Sequence, residues 1–129
     1  MLSKLTYERI WLTPELKPKT HQTVIIFDWD DTLLPTTYLI PFQQLIYQPL
    51  SKPLPSAIEK KMVEIDEYAA RLIQISKDNG TVLIITNAAE GWVELSAQRF
   101  MPKTAKVLRK NVEIISARTK YEKDFPRQY

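Results

Sequence analysis

An apolar run from Thr23 to Phe27 breaks off into three carboxylates, Asp28, Asp30 and Asp31, and this junction constrains the chain more than any other stretch. The run T-V-I-I-F is β-branched and aromatic with no charged interruption, the pattern of a strand buried on both faces of a sheet. The acids therefore fall where the strand ends. Like charges gathered this closely repel, and each raises the pKa of its neighbours unless a cation or hydrogen-bond donors offset it. A helix cap or an Asx-turn would need only one such carboxylate. The expectation is a metal ion held at the mouth of the strand.

Downstream, five prolines between Pro35 and Pro55 forbid a long helix or a central strand there and predict an ordered, irregular flap. Ser56 with Glu59 three residues on predicts a capping box, and Ile58, Met62, Ile65, Ala69 and Leu72 predict one apolar stripe on the helix that follows. Gly80 is expected to take a left-handed cap before a second buried strand, Thr81 to Thr86. A second helix is expected over about Gly91 to Phe100, with Trp92 and Leu95 inward, then a helical piece over Lys103 to Arg109 and a third strand over Val112 to Ile115. Strand, long helix, strand is the order of a parallel α/β sheet with a crossover connection. Residues 1–22 show no clean periodicity and read as a lead-in, with 23–129 as the core.

The chain has 129 residues and no cysteine, so neither disulfides nor a thiolate metal site can form, and its one histidine, His21, cannot make a zinc site alone. No apolar run approaches the ~20 residues of a membrane helix and no secretory leader opens the chain, so a soluble, cytoplasmic protein is expected. Charge is uneven: residues 1–98 carry a net −3 and residues 99–129 a net +6. Without aromatic interleaving or a helix-turn-helix pattern, the basic end reads as a solvated face rather than a nucleic-acid surface.

In open parallel sheets, ligands bind at the carboxyl ends of the strands. Asp28, Asp30, Thr86, Asn87, Ser116 and Arg118 all fall there. The first of these ends, Phe27-Asp28-Trp29-Asp30-Asp31-Thr32 followed by two leucines, resembles the D-x-D-x-T motif of the haloacid dehalogenase-like (HAD) superfamily of phosphohydrolases and phosphotransferases. The strand Val82 to Ile85 closing on Thr86 is similar to that family's second motif. The run from Asn87 to Val93 looks like a subgroup of it, and the resemblance spans about residues 23–121.

The resemblance implies a Rossmann-like, three-layer α/β/α fold of which this chain holds the first three strand-helix units, with a minimal cap or none. It implies a magnesium-dependent phosphatase acting through an aspartyl-phosphate. Asp28 would be the nucleophile, and Asp30 the acid and then the base. Asp28 and the Asp30 carbonyl would ligate magnesium, and Thr86 with the Asn87 N–H would bind the phosphoryl group. Thr32 would hold the turn, Trp29 would serve shape alone, and Asp31 would either cap the next turn or reach metal through water. So small a flap implies an open site able to admit a bulky, even macromolecular, phosphorylated substrate.

The family's later motifs, a lysine that holds the phosphate and a distal acidic pair, are not evident before Tyr129. Arg118, Lys120 and Lys123 are the cations nearest to that lysine's place. Three readings follow: a fragment, weak or inactive as it stands; a domain completed by a partner chain on the exposed edge of the first strand; or a non-catalytic interaction subunit that keeps the fold. A receiver-like phosphoacceptor domain would need an aspartate closing a later strand, where this chain has Thr86 and Ser116.

Overall fold

The computed structural model describes residues 22–126. Along them run β1 (Val24–Phe27), α1 (Thr36–Leu39), a 3-10 helix (Ile40–Tyr47), α2 (Ser56–Asn79), β2 (Thr81–Thr86), α3 (Trp92–Phe100), α4 (Pro102–Leu108), β3 (Val112–Ser116) and α5 (Ala117–Tyr121). The expected lead-in lies outside the described residues except for Gln22, and so do residues 127–129 of the tail.

The three strands pair in parallel in the order β1-β2-β3, with Ile25 beside Val82, Phe27 beside Ile84, and Ile84 beside Ile114. Parallel neighbours cannot be joined by a tight turn, so α2 carries the chain from β1 to β2, and α3 with α4 carries it from β2 to β3. This register puts Ile25, Phe27, Val82, Ile84, Val112 and Ile114 on one face, packed with Met62 and Ile73 of α2, Phe100 of α3 and Leu108 of α4. On the opposite face Val24 and Ile26 are 57% and 58% exposed, so among the described residues no helix covers β1 there. The architecture is mixed α/β around a small parallel sheet.

Three local expectations do not hold. The capping box does not form, because Ser56 is already helical and the Pro55 carbonyl accepts from the Ile58 and Glu59 N–H groups. Gly80 is extended, with φ 179°, not left-handed; it is needed because a Cβ there would lie 2.7 Å from the Thr23 carbonyl oxygen, where β1 and β2 begin to pair. The inner stripe of α2 follows Ile58, Met62, Asp66, Ala69 and Ile73, which leaves Leu72 half-exposed, and on α3 Val93, Ala97 and Phe100 face the core in place of Leu95. Within the flap the prolines permit only α1 and the 3-10 helix, from which Leu39, Leu45 and Ile46 reach the core. Among the described residues no helix is long and apolar enough to cross a membrane; α2 has the length but not the composition.

Asp66 is the one acid in that inner stripe, 2% exposed, and its carboxylate caps a different helix. It accepts from the Lys103 N–H at 2.9 Å, the Thr104 N–H at 2.7 Å and the Thr104 hydroxyl at 2.7 Å, filling the donors that the first turn of α4 leaves open. Replacing Asp66 with alanine strands those donors in a buried place, and the expected loss is about 2–4 kcal/mol in chemical denaturation. Asp66→Asn, which keeps one acceptor, should lose less.

Candidate active site

The turn after β1 is built on alternation. Trp29 points into the core with no exposed surface, while Asp28 before it is exposed and Asp30 after it is half-buried. The Trp29 carbonyl accepts from the N–H groups of Leu33 and Leu34 at 3.0 and 3.1 Å, and the Asp31 N–H returns to the Leu34 carbonyl at 2.7 Å, so the chain folds back on itself within a few residues. Asp31 adopts the left-handed φ of 54° that this demands, which aspartate tolerates better than most residues. Leu33 and Leu34 are buried beneath, and the Trp29 indole donates to the Ser96 hydroxyl of α3 at 3.0 Å. Trp29 thus does more than fill space: it fixes the acidic turn to a helix 67 positions away.

Each of the three carboxylates has its own threonine. The Thr32 hydroxyl donates to Asp28 Oδ2 at 3.1 Å, that of Thr36 to Asp30 Oδ1 at 2.7 Å, and that of Thr37 to Asp31 Oδ2 at 2.6 Å. Asp30 receives two more donors, the Trp92 indole on Oδ1 at 2.9 Å and the Thr86 hydroxyl on Oδ2 at 3.3 Å. Asp31 also accepts the Thr37 N–H at 2.8 Å, so it caps α1. The first of the two roles expected of Asp31, capping the next turn, is the one these bonds show. A hydroxyl-to-carboxylate bond contributes roughly 1.5–3 kcal/mol, against about 1–4 kcal/mol for two carboxylates in contact at a protein surface. Donors are therefore sufficient to hold the cluster together.

Thr86 closes β2 beside Asp30 as its position implies, 2% exposed, and its oxygen also accepts the Ala88 N–H at 3.0 Å. Asn87 next to it is exposed. Ser116, closing β3, donates to the Ala88 carbonyl at 2.6 Å, and Thr119 accepts the Glu90 N–H at 3.1 Å, so the loop after β2 is strapped to the end of β3. Arg118 turns away to Glu122 at 3.5 Å. The basic C-terminal stretch is not wholly solvated, since Arg99 at its start is buried and donates to the Lys52 carbonyl at 2.9 Å.

Among the described residues no three acidic, histidine or cysteine side chains converge as a metal cage. What the turn offers a cation is smaller: the exposed Asp28 carboxylate, with one oxygen engaged by Thr32, and the Asp30 carbonyl, which no backbone donor of the turn reaches. Two protein oxygens suit magnesium, which keeps several waters, better than calcium, which takes six to eight ligands. The Asp30 carboxylate is engaged by protein donors on both oxygens and does not fit as a ligand.

Neither Thr36, Thr37 nor Trp92 follows from the motif positions alone. The Thr36-Thr37 pair two residues past the leucines was the available signal, since three aspartates in one turn require nearby hydroxyls if no cation is present. Comparison with family models, curated proteins and solved structures gives no match to this chain.

The Thr37 hydroxyl and N–H hold the Asp31 carboxyl below the usual aspartate range. A depressed folded-state pKa adds stability that is present above the unfolded value, near 4, and is lost as pH falls through the folded value. Asp31→Asn should therefore melt slightly below wild type at pH 7. The gap should close on acidification past that window, and a gap that persists or widens there would contradict this assignment.

Proposed function

We propose that this chain is the core of a HAD-like, Rossmann-type phosphatase that hydrolyses phosphoric monoesters through an aspartyl-phosphate on Asp28. The observation that supports it is the unequal treatment of two carboxylates at one strand end: Asp28 is exposed with a single hydroxyl partner, whereas Asp30 is clasped on both oxygens beside Thr86. An unencumbered carboxylate on the rim is free to attack; a fixed one is suited to pass a proton.

In this reading Asp28 forms a bond to phosphorus as the ester oxygen leaves with a proton from Asp30. Asp30 then takes a proton from the water that attacks the acyl phosphate, which releases orthophosphate and restores Asp28. The Thr86 hydroxyl, now given to Asp30, and the Asn87 N–H are the donors at hand for phosphoryl oxygens. Asp28 and the Asp30 carbonyl would hold magnesium, whose contribution when bound is to offset charge on the phosphoryl oxygens. Asp28, Thr32 and Asn87 all lie exposed on the rim, which favours a bulky phosphorylated substrate over an enclosed metabolite.

Full-length protein should hydrolyse an aryl phosphate in magnesium, and Asp28→Asn should lower kcat by about a thousandfold or more with its melting curve intact. Equal rates for the two would remove Asp28 as nucleophile.

A second reading, an interaction subunit without chemistry, is favoured by a different observation: among the described residues β1 has a strand on one side only, and Val24 and Ile26 stand exposed. The two readings separate on a thermal melt and light scattering. Stabilisation by magnesium in a monomer supports the phosphatase, and a stoichiometric complex indifferent to magnesium supports the subunit.

A further inference from the structure

Three elements that are far apart in sequence send a donor to one carboxyl group. Thr36 from α1 and Trp92 from α3 both bind Asp30 Oδ1, at 2.7 and 2.9 Å, while Thr86 from β2 is the one side-chain donor on Oδ2, at 3.3 Å. The asymmetry is chemical as well as geometric. Oδ1 has two short bonds from neutral donors, the Trp92 indole and the Thr36 hydroxyl, which also lies 3.3 Å from the Leu34 carbonyl, and Oδ2 has one long bond from the buried Thr86 hydroxyl. A carboxyl held this way cannot rotate about its Cβ–Cγ bond without breaking both short bonds, so its two oxygens are not interchangeable.

We propose that Trp92 and Thr36 are positioning residues that anchor Asp30 through Oδ1 and leave Oδ2 as the oxygen that exchanges protons at the site. The inference rests on the phosphatase reading for what Oδ2 does, but the anchoring itself does not. Thr86 fits this division of labour: its bond to Oδ2 is the weakest of the three, and it is the one a phosphoryl oxygen would displace.

The backbone supports the same assignment for Trp92. Gly91 precedes it with φ 89°, a left-handed conformation that turns the loop into the first residue of α3, and a Cβ at Gly91 would meet nothing within 4 Å. Glycine is therefore required there by conformation, not by space. The turn sets where α3 begins and so where the indole N–H points. The Trp92 ring packs against the core while its N–H serves the acid, a side chain committed at both ends.

Two arms test the proposal. In the first, the indole N–H resonances of Trp11, Trp29 and Trp92 are assigned by substitution and followed by NMR. Asp30→Ala should shift the Trp92 signal more than that of Trp29 and speed the exchange of the Trp92 N–H with solvent; an unchanged Trp92 signal overturns the anchoring whether or not the protein is an enzyme. In the second, Trp92→Phe and Thr36→Val should each lower kcat for an aryl phosphate about tenfold with little change in KM, and Thr36→Ser should restore the rate. Wild-type rates in Trp92→Phe and Thr36→Val, in a protein that does turn over, overturn the positioning role and leave the phosphatase reading standing. No turnover by the full-length wild type would instead defeat that reading, and the first arm alone would then decide the anchoring.

Discussion

The burial of Trp29 is the constraint on which the acidic turn depends. A tryptophan taken wholly out of water contributes roughly 5 kcal/mol from its apolar area, more than enough to offset repulsion between the carboxylates on either side of it. Its indole bond to Ser96 adds direction to that force, because the hydroxyl sits on α3 and is itself held by the Trp92 and Val93 carbonyls. The turn is thus located relative to α3, and α3 is the helix that returns Trp92 to Asp30. One buried ring sets the distance that the Trp92–Asp30 hydrogen bond must span.

Solvating an acidic cluster with hydroxyl donors has a different consequence from neutralising it with a cation. A hydroxyl can rotate and can be displaced one bond at a time, so the carboxylates remain available singly. The structure differentiates them accordingly: Asp31 is committed to α1, Asp30 is committed to three elements, and Asp28 alone stands open.

The strands were legible because their signal is local and strong: T-V-I-I-F and T-V-L-I-I-T have no competing helical pattern, and their observed bounds differ from the reading by a residue at most. Of the candidate site, the placement was legible: Asp28, Asp30 and Thr86 fall at neighbouring strand ends. What the sequence could not yield is what depends on one helix meeting another. The Ser56–Glu59 pair is a valid capping signal, yet Pro55 supplies its carbonyl instead. Asp66 looks like a surface acid on α2, and only the approach of α4 gives it three donors. Leu72 and Ile73 are adjacent and equally apolar, so which one turns inward is decided by the sheet. Trp92 was read as core and is half core, because nothing in its own neighbourhood announces a carboxylate 62 positions earlier.

That last pairing also bears on how the two faces of the sheet differ. The contacts that order the candidate site come from the helical layer, from the turn itself, and from Thr86 and Ser116 at the ends of β2 and β3. The opposite face, with Val24 and Ile26, contributes no hydrogen bond to it among the described residues. Anything that covers that face or pairs with the free side of β1 would therefore bury apolar surface without having to rebuild the clasp on Asp30. Among the described residues, the geometry of the acid is set by one side of the sheet alone.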